Sequence, residues 1–184
     1  MKTILALSLV AGLAVQDHEV KVGDAAPKFE AADDTGKPWK SDEHVGKKIV
    51  VVYFYPASFT NGCTKQACGF RDDMKSLTDK DVEVIGVSGD VVKTQEAFKK
   101  FHNLNFSLLA DEKGDVAKAF GVPTSKGGTA KAKIDEKDVE FTRALTIKRW
   151  TFVIGKDGKI AYKNTEVKAA EDSKAILDVI GKLK

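Results

Sequence analysis

The stretch Lys48-Ile-Val-Val-Val-Tyr-Phe-Tyr-Pro-Ala-Ser-Phe-Thr-Asn-Gly-Cys-Thr-Lys-Gln-Ala-Cys68 joins a strand pattern to a helix pattern. From Lys48 to Tyr55 the residues are almost all β-branched or aromatic, the pattern of a central strand covered on both faces. Pro56 ends that run. Onward to about Leu77 the period is helical: Cys63, Ala67, Phe70, Met74 and Leu77 fall on one stripe, with Arg71, Asp72, Asp73 and Lys75 mostly off it. A thiol at such a strand-to-helix turn meets unpaired N–H groups and the positive end of the helix dipole, which favour its anionic form. Thr60 stands three residues before Cys63 and can bring a hydroxyl to the sulfur. Pro56 and Gly62 shape a tight turn around it. A small buried core residue is the plainer alternative for Cys63, because free cysteine is among the most buried residue types.

Cys63 and Cys68 are the two cysteines of the chain. Residues five apart on a regular helix have Cα atoms roughly 8–9 Å apart, from the rise and radius of the helix. A disulfide needs about 4.4–6.8 Å. The two thiols therefore cannot bond while the helix is intact. One alternative is a disulfide that forms only when the first turns unwind, coupling a chemical step to local opening. The other is a structural staple, which would contradict the helical stripe and close only a short loop. There is no Cys-x-x-Cys, which disfavours a dithiol-exchange site of that kind. His18, His44 and His102 are scattered and make a poor metal set with two cysteines. No glycine-rich phosphate loop is present.

Outward from this stretch the patterns alternate. Val22-Gly-Asp-Ala-Ala-Pro-Lys-Phe29 reads as a loop leading into a short strand near Phe29 to Ala32, and Asp33-Asp-Thr-Gly36 as a turn. Val82 to Ser88 reads as a strand. Thr94 to Phe101 reads as a helix with Ala97, Phe98 and Phe101 inward. Phe106 to Leu109 is short and extended, and Gly114 to Phe120 a short helix. Trp150 to Ile154 and Lys159 to Tyr162 form a hairpin through Gly155-Lys-Asp-Gly158. A last helix carries Ile176, Val179, Ile180 and Leu183. The pattern predicts an α/β layered domain with a mixed sheet. Pro123 to Asp138 is polar and Lys-rich with Gly127-Gly128, and is expected to be a long loop.

The 184 residues suit one domain, and 42% hydrophobic residues is ordinary for a globular chain. The formal charge of +3 comes from interspersed acids and bases, so no nucleic-acid surface is expected. The first sixteen residues differ. Lys2 precedes an apolar run from Ile4 to Ala14, with Gly12 and Ala14 small enough for a signal-peptidase site. That run is too short to span a bilayer, so no stable membrane insertion is expected. Residues 1–16 are predicted to be a signal peptide and 17–184 a single domain. The mature protein would then be periplasmic or secreted, or cytoplasmic if the run is a buried element instead.

On these residues the chain resembles a peroxiredoxin of the peroxiredoxin Q or bacterioferritin comigratory protein type. The resemblance rests on Pro56, Thr60 and Cys63 as Pro-x-x-x-Thr-x-x-Cys, with Cys68 at the resolving position of that subgroup. It extends from Val22-Gly-Asp-Ala-Ala-Pro-Lys-Phe29 through Gly69-Phe-Arg-Asp72 and Leu108-Leu-Ala-Asp111 to Arg149-Trp-Thr-Phe-Val-Ile-Gly-Lys-Asp-Gly158. It implies a thioredoxin-like fold, with a mixed central sheet flanked by helices, and the reduction of hydrogen peroxide and organic hydroperoxides. Cys63 would be the peroxidatic cysteine, oxidised to a sulfenic acid. Thr60 would bond the thiolate and the peroxide, and Pro56 would shield the sulfur. Arg149 would sit over the site; Arg143 is its competitor, since 143, 145, 147 and 149 share a face if that segment is extended. Cys68 would close an intramolecular disulfide, reduced by a thioredoxin-like donor. The resemblance implies no cofactor, and a monomer is expected. The other classes are an exported disulfide oxidoreductase and a non-catalytic, disulfide-stapled thioredoxin-like domain. The chain departs from the family pattern at Ser58, Phe59, Asn61 and Gln66, and segment 123–148 matches it poorly.

Overall fold

The computed structural model describes residues 19–134 and 136–183. The expected signal segment, residues 1–16, lies outside the described residues. Along the chain come β1 (Glu30–Asp33), β2 (Pro38–Lys40), β3 (Ile49–Phe54), α1 (Asn61–Thr78), β4 (Val82–Ser88), α2 (Val92–His102), β5 (Ser107–Ala110) and α3 (Asp115–Ala119). They are followed by β6 (Thr124–Ile134), β7 (Lys137–Ile147), β8 (Thr151–Ile154), β9 (Ile160–Asn164) and α4 (Asp172–Ile180). A sheet of seven strands runs in the order β2-β1-β5-β4-β3-β8-β9. β3, β4 and β5 are parallel, and the remaining pairings in this sheet are antiparallel, so it is mixed. No helix among the described residues is long and apolar enough to cross a membrane.

β3 is the hub, lying between β4 and β8. Its alternating side chains feed two cores. Val50, Val52 and Phe54 join Phe120, Phe152 and Ile154 on one face. Val51, Tyr53 and Tyr55 join Cys63, Ala67, Phe70 and Leu77 of α1 and Ile176 and Ile180 of α4 on the other. Tyr53, Phe54 and Phe70 are wholly buried, each ring worth roughly 1.5–3 kcal/mol by area removed from water. This is why the run reads as continuously apolar: both sets of alternating residues leave water.

Tyr53 also constrains its neighbour strand. A Cβ at Gly86 would lie 2.6 Å from the Tyr53 ring and 2.9 Å from Leu108 Cδ2. Tyr53 has no room to retreat. Gly86→Ala is expected to cost about 1–3 kcal/mol, as overpacking does. Guanidinium denaturation should show a lower midpoint at unchanged slope; an unchanged midpoint would mean that the core yields there.

Two expectations need correcting. Residues 123–138 are not a loop: β6 and β7 form an antiparallel ribbon, separate from the main sheet, with Thr124 opposite Ile147 and Ile134 opposite Lys137. The pattern has period two, with Ala130, Ala132 and Ile134 half-buried between exposed Lys131 and Lys133. Ala, Lys and Gly have low strand propensity, which hides the alternation. Phe141 and Ile147 of β7 are buried. Phe101 also does not point into the core; it is 43% exposed. It lies at the edge of a surface aromatic cluster, 6.0 Å from the Phe59 ring and 4.9 Å from His102. Burial, and after it Arg71, pushes His102 below the ordinary histidine range.

Candidate active site

The loop between β3 and α1 is held from beneath by a buried polar network. Ser58 N–H donates to Asp90 Oδ2 at 2.8 Å, and Ser88 Oγ donates to the same oxygen at 2.8 Å. Gln95 Nε2 donates to Ser88 Oγ at 2.8 Å and to Leu109 O at 3.1 Å, and Tyr55 OH donates to Gln95 Oε1. Burial pushes the Tyr55 phenol far up, so it stays a donor. Phe59 follows with φ of +63°, a left-handed backbone uncommon for a bulky residue. Its ring stacks on Phe141 of the ribbon at 4.4 Å and lies edge-on to Phe98 at 5.1 Å. Anchored at Ser58 and clamped at Phe59, the chain enters α1 along a defined path.

Thr60 is the N-cap residue of α1, with extended backbone. Its hydroxyl donates to Ala57 O at 2.8 Å. A hydroxyl that has given its proton to a carbonyl keeps lone pairs that accept. Its own carbonyl accepts the N–H of Thr64 at 2.9 Å, so the helix starts at once. Asn61, Gly62 and Cys63 therefore form the first turn, whose N–H groups have no partner within the helix. Cys63 is 1% exposed and carries a free thiol; Cys68 is half-buried and also free, within the same unbroken helix.

Arg149 comes just before β8 and reaches across to the first turn of α1. Its Nη2 lies 3.2 Å from Cys63 Sγ, and its Nη1 donates to Gln66 Oε1. A Cβ at Gly62 would stand 3.3 Å from Nη2, so glycine leaves room for the guanidinium. Arg143, the competitor, is elsewhere: its Nε donates to Thr146 Oγ1 at 2.9 Å, within the ribbon. β7 ends at Ile147, and Arg149 lies beyond it, in the short segment before β8. Pro56 and Arg149 line a shallow cavity of about 330 Å³ with Pro123, Thr124 and Ile147.

Behind Arg149 the contacts continue. Gln66 Nε2 donates to Asp172 Oδ2 at 2.7 Å, and Thr151 Oγ1 donates to that oxygen at 2.8 Å. Burial raises the Asp172 carboxyl above its ordinary range, against the opposing bonds from Gln66 and Thr151 and the charge of Arg149. Burial likewise pushes the Tyr53 phenol well up. The site therefore joins a thiol in a helix's first turn to a cation in hydrogen-bond reach. Such a pair stabilises a sulfur nucleophile and any negative charge that develops on an oxygen bound beside it.

Four of the residues singled out from the sequence converge here: Pro56, Thr60, Cys63 and Arg149. Cys68 lies further along α1. Asp172 and Asp90 are not visible from the sequence as parts of the site. Gln66, a departure from the family pattern in the sequence, stands three residues after Cys63 on the same helix face and meets Arg149. Asp172 left no local signal; it reads as an ordinary acidic residue at a helix start.

A family model described as the AhpC/TSA family matches residues 22–163. The chain is 37% identical over 152 residues to peroxiredoxin Bcp of Bacillus subtilis, covering 83% of this chain and 89% of that one. It is 40% identical over 144 residues to the chloroplastic peroxiredoxin Q of Oryza sativa, covering 78% of this chain and 58% of that protein. Among solved structures it resembles peroxidoxin BcpB from Mycobacterium tuberculosis, with a TM-score of 0.74 and 32% identity, covering 90% of this chain and 99% of the other. The expected thioredoxin-like fold holds for this chain.

Proposed function

The chain belongs to the AhpC/TSA family and is a thiol-dependent peroxidase; within it we propose that Cys63 is the peroxidatic residue and Cys68 the resolving one. The observation that carries this reading is the 3.2 Å approach of Arg149 Nη2 to Cys63 Sγ in the first turn of α1.

The Cys63 thiolate attacks the terminal oxygen of a hydroperoxide. The O–O bond breaks, an S–O bond forms, and the departing alkoxide or hydroxide takes a proton to leave as alcohol or water. Sulfur is oxidised to the sulfenic acid and the peroxide is reduced. Arg149 faces the charge that moves from sulfur to the departing oxygen. The Thr60 hydroxyl, with its proton on Ala57 O, accepts from the terminal O–H and aims it at sulfur. Pro56 covers the approach and limits water. Cys68 then attacks the sulfenic sulfur, releasing water and forming the disulfide. A thioredoxin-type dithiol reduces that bond.

The resolving step requires α1 to open at its start, which breaks the Cys63–Arg149 and Gln66–Asp172 contacts together. Two free thiols within one unbroken helix favour this cycle over a disulfide staple. The missing Cys-x-x-Cys counts against a general disulfide oxidoreductase. The N-terminal charge and apolar run support export, and the mass of the mature N-terminus tests that. We also take the protein to act as a monomer.

The test of the cycle is chemical trapping. Reduced protein treated with one equivalent of peroxide in the presence of a sulfenic-acid probe is expected to carry the probe on Cys63. Without the probe, peptide mapping should find Cys63 joined to Cys68. Labelling on Cys68 first would reverse the two roles.

A further inference from the structure

Gln66 and Asp172 form a chain of contacts that ends on the reactive sulfur. We propose that Asp172 is a positioning residue for the peroxidase reaction: through Gln66 it sets the orientation, and supplies the counter-charge, of the Arg149 guanidinium that faces Cys63. The inference rests on the assignment of Cys63 as the reacting thiol.

The geometry argues it step by step. A carboxylate only accepts hydrogen bonds. Asp172 Oδ2 accepts from Gln66 Nε2 at 2.7 Å and from Thr151 Oγ1 at 2.8 Å, and the residue is 2% exposed. The Gln66 amide thus has no choice of face: its NH₂ turns to Asp172 and its carbonyl to Arg149 Nη1. Were the amide reversed, its NH₂ would confront a guanidinium that has only donors. Arg149 is then held by one nitrogen, which leaves Nη2 on Cys63 Sγ at 3.2 Å. Gln66 itself is wholly buried in α1, and Thr151 is buried at the start of β8. The relay therefore ties three elements at one point: the first turns of α1, the start of β8 and the N-terminus of α4. An acidic group in that first turn of α4 also suits the helix dipole. Helix stability alone would leave the carboxylate in water, whereas Asp172 is turned inward, with Oδ2 on Gln66 and Thr151 and Oδ1 buried without a partner, a costly placing for a charge.

The groups facing Cys63 from the elements packed on it are few. Tyr53 and Tyr55 approach from β3 and Arg149 from ahead of β8, while Asp172 of α4 stands behind Arg149, on Gln66 and Thr151. Burial keeps both phenols protonated. Arg149 is the charged group in contact with Cys63, and Asp172 acts on it through Gln66.

The test is single-turnover oxidation of the reduced full-length protein by hydrogen peroxide, followed by stopped flow across the neutral pH range. Asp172→Asn removes the charge and lets the Gln66 amide turn either way. The second-order rate constant should fall by about 10–100-fold, the range seen when outer partners of metal ligands are removed. The rate–pH profile should also move to higher pH. The paired exchange Gln66→Glu with Asp172→Asn moves the carboxylate one step closer to Arg149 and gives it a donor behind. It should restore both the rate and the profile. A packing role would not be rescued by such a swap. If Asp172→Asn leaves rate and profile unchanged, the inference falls. It also falls if the paired exchange stays as slow as the single variant with helix content intact. Should Asp172→Asn not fold, Gln66→Met, which keeps the bulk and leaves Asp172 on Thr151, must show the same loss; an unchanged rate there overturns the inference. Failure of the unaltered protein to be oxidised at Cys63 would instead overturn the peroxidase assignment beneath it.

Discussion

Cys63→Ser is expected to reduce peroxide consumption to the background rate, while Cys68→Ser retains one fast turnover and then stops. The asymmetry follows from where the two sulfurs sit. Cys63 lies in the first turn of α1 against Arg149 Nη2. A serine hydroxyl there keeps the hydrogen bond but not the nucleophile, because it remains protonated at neutral pH and does not attack O–O bonds. Cys68 lies five residues further along α1 and acts only after the helix start has opened. Without it the first oxidation proceeds, and the sulfenic acid then has no partner thiol. Mass spectrometry should find one added oxygen on Cys63, advancing to the sulfinic acid under excess peroxide. Steady-state consumption driven by a thioredoxin-type donor should be lost in both variants, whereas the single-turnover phase should be lost only in Cys63→Ser. If Cys63→Ser consumed peroxide at the original rate, the roles assigned to this site would be wrong.

Arg149→Met is expected to lower the second-order rate constant of Cys63 oxidation by about 10²–10³-fold, the size typical when one donor facing a developing charge is removed. The rate–pH profile should move to higher pH, since the cation 3.2 Å from the sulfur is gone. The fold should hold, because methionine replaces the bulk of the stem and the remaining buried polar groups keep Thr151 on Asp172. Arg149→Lys should recover only part of the loss. One ammonium is a compact point charge, and it cannot reproduce the fork that reaches Gln66 with one nitrogen and Cys63 with the other. A variant with an unchanged rate and profile would show that the helix start alone activates the thiol.

Much of the architecture was legible because it is written in local pattern. The apolar run before Pro56 could only be a strand covered on both sides, and β3 is that strand. The stripe from Cys63 to Leu77 runs on the buried face of α1. The site was legible for the same reason: Pro56, Thr60 and Cys63 lie within one turn and its approach. β6 was not legible, because its alternating residues are mainly alanine against lysine, whereas β7 alternates Val139, Phe141, Leu145 and Ile147 with exposed or polar residues. Phe101 was misplaced because aromatic character signals burial only on average. Here a surface cluster with Phe59 and His102 holds it at the edge.

Sequence by itself determined the strand, the helix and the placing of a thiol between them, since each depends on residues within a few positions. It also determined that Cys63 and Cys68 cannot bond without opening α1, since their spacing on a helix is a matter of geometry. Only the tertiary structure decided which arginine meets the sulfur, and why. Arg149, in the segment between β7 and β8, reaches Cys63, whereas Arg143 stays within the ribbon on Thr146. Gln66, a departure from the family pattern, connects Arg149 to the carboxylate of Asp172, more than a hundred residues further along the chain. Hydrogen bonds between elements so distant in sequence depend on how helices pack on the sheet, and no local pattern encodes that.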